Sequence, residues 1–143
     1  MASTYLATKA AAGIQPKYVE NGTISLSSSY TFAAAFVIND VITIGAVPAG
    51  ATIQGIDVDV PSLDTSTGVT WSVGDASSAG RFIANNTSGR SSTGAIVYGP
   101  SVVGSLNYTY AATTPLQMKI TAAPTSGATS GTINFVVQYS MDA

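Results

Sequence analysis

Few residues in this chain are equipped for chemistry. Asp57 and Asp59 fall two apart in "GIDVDVP", so an extended strand presents both carboxylates on one face, and Asp64 follows in the adjoining loop. Clustered oxygens of this kind hold Ca²⁺ when a loop folds them around the ion, which makes Asp57, Asp59 and Asp64 the candidate cation ligands. Their spacing is not that of an EF-hand loop, and two aspartates on a solvated strand face need no ligand. Asp57 and Asp59 could also be a general acid and base, but a glycosidase needs a cleft and a fixed carboxyl separation, and neither is visible in the sequence. The solvated strand face is the simpler reading of both.

Nucleophilic chemistry fares no better. Serines abound, but there is no Gly-x-Ser-x-Gly elbow and no histidine to activate one. A Ser-Lys pair would have to use Lys9, Lys17 or Lys119, none of which sits in a recognisable motif. Asp75 lies close to Arg81 in "GDASSAGR", a spacing that suits a charge pair bracing a loop. Trp71 with Tyr108, Tyr110 and Tyr139 could form an aromatic platform for sugar. A lone Trp in phase with valines is more often core, with tyrosines near the strand ends capping it. The Asn-x-Ser/Thr matches at Asn21, Asn85, Asn86 and Asn107 follow from Ser/Thr richness and carry no meaning without a secretory signal. No catalytic, cofactor-binding or metal residue is therefore assigned, no cofactor is expected, and the chain is expected not to be an enzyme.

Composition points the same way. The 143 residues suit one domain able to bury a core, and 45% of them are hydrophobic. Only 8% are charged, against about 25% in an ordinary soluble domain. A surface of Ser, Thr, Asn, Gln and Gly lacks the repulsion that keeps monomers apart, which favours an oligomer or a component of an assembly. A net charge of −2 with five scattered basic residues leaves no footprint for nucleic acid. Cysteine is absent, so no disulfide framework exists. No signal peptide and no apolar run of membrane-spanning length is present, so a soluble protein made in the cytoplasm is expected, with no membrane partner.

The elements that must position these residues are strands. Residues 1–20 read as an N-terminal arm, in which Pro16 closes a stretch fit for one weak helical turn; the alternative is a first edge strand on the domain. Asn21-Gly22 is a turn dipeptide that opens the domain, 21–143. Ile24 and Leu26 alternate with Thr23 and Ser25, and Tyr30 is in phase with Phe32. "AAAFVIND" is ambiguous between helix and strand, with strand preferred. Ile42 and Ile44 point opposite to Val41 and Thr43, and Pro48-Ala49-Gly50 makes a corner. Ile53 has the opposite parity to Ile56, Val58 and Val60. That phase change predicts a β-bulge at Gln54-Gly55, with Gly55 supplying unusual backbone angles. Pro61 ends the strand. Val69, Trp71 and Val73 share a face, as do Tyr108 and Tyr110. Leu116, Met118 and Ile120 alternate with Gln117, Lys119 and Thr121, and Ile133, Phe135, Val137 and Tyr139 line a last apolar face. Short strands at regular spacing with turn chemistry between them predict an all-β antiparallel sandwich, jelly-roll-like, carrying an N-terminal arm.

Three stretches, "NDVITIGAVPAGATIQGIDVDVPSLD", "WSVGDASSAGRFIANNTS" and "TPLQMKITAAPTSGATSGTINFVVQYSM", resemble the head decoration, or capsid cement, proteins of tailed bacteriophages. The resemblance runs from about Ile38 onward and rests on strands and turns, so no functional residue carries over. It implies a β-sandwich seated on the major capsid protein of an icosahedral shell, commonly as a homotrimer, reinforcing the lattice without catalysis at the virion surface. The arm would then be expected to reach neighbouring subunits. The alternative expectation is a tail-tip or fibre adhesin that binds host carbohydrate through the loops at 61–68 and 85–95.

Overall fold

The computed structural model describes residues 2–8 and 22–141. Among them nine strands form two sheets: β1 (Thr4–Leu6), β2 (Thr23–Phe32), β3 (Val41–Val47), β4 (Ala51–Val60), β5 (Thr70–Gly74), β6 (Ile83–Asn86), β7 (Ala95–Gly99), β8 (Thr114–Ala122) and β9 (Gly131–Met141). One sheet runs β1-β3-β8-β5-β6 and the other β2-β9-β4-β7. Strand β2 pairs with β9, β3 with β8, β4 with β7 and β5 with β6, all antiparallel. Such nested pairing is one long ribbon folded back on itself. Rolling it up adds the β4–β9 and β5–β8 contacts and yields two sheets, the jelly-roll order within a β-sandwich.

Alternation decides which side chains enter the core. Ile24 and Phe32 of β2, Ile56 and Val58 of β4, and Ile133, Phe135 and Val137 of β9 supply one sheet's inner face. Ile42, Ile44, Trp71, Val73, Leu116, Met118 and Ile120 supply the other. Their β-branched and aromatic shapes suit a half-buried pleated surface. Facing them across a dry layer is the main hydrophobic contribution to the fold.

The register shifts between Ile53 and Gly55, so the expected bulge is present, and both Ile53 and Ile56 are fully buried. Gly55 is not among the residues with positive φ, which corrects the expectation of unusual angles there. A second shift lies between Thr43 and Gly45 in β3. At the corner after β3 it is Gly50 that takes positive φ, 87°, while the Ala51 amide donates to the Pro48 carbonyl.

Residues 33–40 form a loop, not the strand that their sequence suggests. Phe36 is buried from it, stacking against Phe32 with ring centroids 4.9 Å apart. Asn39 turns the chain with φ 69°. The Asp40 carboxylate accepts the Val37 amide and, from the other end of the chain segment, the Ser3 amide, each at 2.8 Å. Thr4–Leu6 lies beside β3 in parallel, with Tyr5 packed against Tyr30 and Phe36 and Ala7 fully buried. This part of the N-terminal segment is thus an edge strand. The helical turn read before Pro16, and Asn21 of the Asn-Gly turn, lie outside the described residues.

Candidate functional site

The three aspartates considered as cation ligands do not act together. Asp57 and Asp59 stand on the outer face of β4 and line a shallow groove with Ile96, Tyr98, Asn134 and Val136. Asp64 is turned inside and fully buried. Its Oδ1 accepts the amides of Ser66 and Ser126, each at 2.9 Å. Its Oδ2 accepts those of Gly68 at 2.8 Å, Thr125 at 3.0 Å and Val69 at 3.1 Å. A carboxylate offers about four lone-pair positions, and five donors occupy them. Burial alone would raise the Asp64 pKa, but these backbone hydrogen bonds outweigh it and hold the group far below the usual carboxylate range. Asp64 is a staple joining the loop after β4 to the loop before β9. Among the described residues no cluster of three His, Cys, Asp or Glu side chains is placed to hold a metal.

Asp75 and Arg81 do pair, as their spacing suggests. Arg81 Nε donates to Asp75 Oδ2 at 2.6 Å, and the Ser77 and Ser78 amides donate to Oδ1 at 2.9 Å. Unforeseen is Tyr110, whose hydroxyl donates to the same Oδ2. The Arg81 guanidinium lies over the Tyr108 ring, 4.2 Å from its centroid, and Phe82 meets both tyrosines edge-on. Burial acts to raise the Asp75 pKa, yet the bonds from Arg81, Tyr110 and Ser78 bring it below its ordinary value. The Tyr110 hydroxyl is pushed far up, by burial first and then by donating to a carboxylate. A phenol so held is neither acid nor base near neutrality. The cluster braces the loop between β5 and β6 against the segment before β8.

The aromatic platform is not formed. Trp71 is fully buried with its indole N–H donating to the Ser88 carbonyl at 2.9 Å, and Tyr110 and Tyr139 are buried as well. Tyr108 alone is half-exposed, and Arg81 covers its face. Tyr108 and Tyr110 belong to no named strand. Their segment continues the position of β7 along β4, the Ile53 amide donating to the Tyr108 carbonyl and the Tyr110 amide to that of Ala51. Lys119 is half-buried on β8, and Lys9 and Lys17 lie outside the described residues.

No protein-family model and no curated protein matches this sequence. Solved structures do. A chain in the capsid of Ralstonia phage GP4 superposes with a TM-score of 0.81 at 20% identity, over 98% of this chain and 99% of that one. The fold is that of a phage capsid chain. A chain in the Cyanophage Pam1 capsid asymmetric unit superposes with a TM-score of 0.73 at 23% identity, over 91% and 95%. At this identity the phage capsid fold is what is shared; individual surface residues are not matched. Of the residues that could have made a site, Asp64, Trp71, Tyr110 and Tyr139 are buried in the interior, while Asp57 and Asp59 stay on the outer sheet face.

Proposed function

We propose that this chain is a structural protein of a bacteriophage virion, a decoration or cement protein that binds the outside of an icosahedral head and stabilises it. Its partner is the major capsid protein, its form a homotrimer, and its role non-enzymatic. The observation that carries this reading is the correspondence with the phage GP4 capsid chain, which runs the length of both chains.

The chemistry of the surface supports it. With 8% of residues charged, large faces of Ser and Thr can be covered by a partner without stranding a charge. Residues 1–20 are the arm of this reading and 21–143 its sandwich; β1 ties the arm to β3 at Thr4–Leu6. The adhesin alternative places host carbohydrate on the loops at 61–68 and 85–95; with Trp71, Tyr110 and Tyr139 buried, no aromatic platform supports it.

The test is reconstitution. Purified protein of trimeric solution mass, added to heads assembled without it, is expected to bind in a fixed ratio to the capsid subunits and to raise the temperature at which the heads break. Heads that stay bare, or that melt unchanged when saturated, contradict the cement role.

A further inference from the structure

The outer face of the four-stranded sheet changes character at its edge. Across paired residues, Ser29, Asn134 and Asp59 lead to Ile96, and Ser27, Val136 and Asp57 lead to Tyr98. Both rows end on large apolar side chains that are 55% and 67% exposed. Scattered exposed hydrophobics are ordinary, but this pair borders an open sheet edge. Strand β7 pairs with β4 on one side, and among the described residues no strand pairs with the other.

Open edges recruit further strands, and proteins normally blunt them with a lysine, a proline, a bulge or brevity. Strands β1 and β6 are short, and β2 shows Ser and Thr on its outer face. Strand β7 reads Ala-Ile-Val-Tyr-Gly, without a charge, and its register with β4 is unbroken. Just inboard stand Asp57 and Asp59. Among the described residues the one salt bridge is Arg81–Asp75, so neither carboxylate has a cationic partner within that set.

We infer that the open edge of β7 takes up an extended segment of the shell protein as an added strand, with apolar side chains against Ile96 and Tyr98 and a Lys or Arg over Asp57 and Asp59. The inference rests on the capsid-binding role proposed above and names the face that does the binding. Strand addition draws affinity from backbone hydrogen bonds and selectivity from alternate side chains. Covering two carboxylates without a counter-charge is costly, so the segment must bring one. A second copy of this chain is a poorer occupant, because its own β7 edge brings two more carboxylates and no cation.

The experiment compares binding of the full chain and three variants to heads assembled without it, at low and high salt. Ile96→Lys/Tyr98→Lys places lysines on the edge at two exposed positions, where they neutralise the aspartates and repel a basic segment. It is expected to weaken binding at least about tenfold. The control Val37→Lys/Ile38→Lys adds the same charge on an exposed loop and is expected to bind as wild type. Asp57→Asn/Asp59→Asn is expected to bind more weakly and with a shallower salt dependence. Equal binding by the β7 variant and its control overturns the inference while leaving the capsid role intact. Wild-type protein that leaves the heads bare overturns both. Sedimentation of the free proteins supplies the last arm: self-association lost only in Ile96→Lys/Tyr98→Lys would make the occupant a second copy and overturn the inference.

Discussion

Tyr110 donates its hydroxyl to Asp75 Oδ2 at 2.6 Å across 35 residues of sequence, on the same oxygen that Arg81 Nε reaches. One buried carboxylate thus ties the loop after β5 to the segment before β8. Tyr110→Phe keeps the ring and deletes the bond to a charged group, and is expected to cost about 1.5–3 kcal/mol by denaturant unfolding. The pH dependence follows from the lowered pKa of Asp75. A depressed carboxylate contributes its stability in full above the unfolded value, near about 4, and loses it as pH falls through the folded value. The thermal midpoint should therefore hold from neutrality down to mild acid and drop below about pH 4. In Asp75→Asn the midpoint at neutral pH should be lower and the acid drop shallower.

Asp64 gathers five backbone amides, and an amide side chain cannot replace it, since one of its two heads donates. Asp64→Asn is expected to lower the melting temperature by more than Asp57→Asn or Asp59→Asn, whose carboxylates stand on the outer sheet face. Addition of a chelator to the wild type is expected to leave its melting temperature unchanged. A chelator-dependent fall would restore a cation to these aspartates.

Much of the fold is legible because a strand's period of two is a short-range code. Leu116, Met118 and Ile120, or Ile133, Phe135, Val137 and Tyr139, declare their buried face within one strand, and the parity break at Gln54 declares its bulge. Strand β7 escapes this code, since Ile96 and Tyr98 are apolar on a face that stays exposed. Phe36 misleads in the other direction, being an apolar residue buried from a loop. The roles of Asp64 and Tyr110 are long-range: Thr125 lies 61 residues from Asp64, and no local pattern announces that meeting. The surrounding Ser and Gly mark a turn around Asp64, but not that its carboxylate is turned inward.

Glycines separate packing from backbone geometry. A methyl group on Gly74 would collide with the Ser78 carbonyl and lie 2.8 Å from the Ala79 carbonyl and the Arg81 amide nitrogen. Gly74→Ala should cost about 3 kcal/mol and loosen the Asp75–Arg81 loop. At Gly55 the nearest atom would be Gln138 Oε1 at 3.4 Å, with φ in the ordinary range. Gly55→Ala should be neutral or stabilise by up to about 1 kcal/mol through the unfolded chain. Chemical denaturation of the two variants side by side checks both.

Ser62 carries the one buried side-chain oxygen among the described residues that lacks a hydrogen-bond partner. Ser62→Ala removes an unpaired polar atom at little loss of volume and is expected to stabilise by about 1 kcal/mol. A loss of stability in the same denaturant titration would show that the hydroxyl is bonded after all.

The most direct test of the structural role is the position and number of copies in an intact virion, read by electron microscopy of particles carrying a tagged chain. A decoration protein is expected at every capsomer of the head, in a fixed ratio to the major capsid protein and clustered in threes. Density confined to the tail, or no density on the particle, would contradict it.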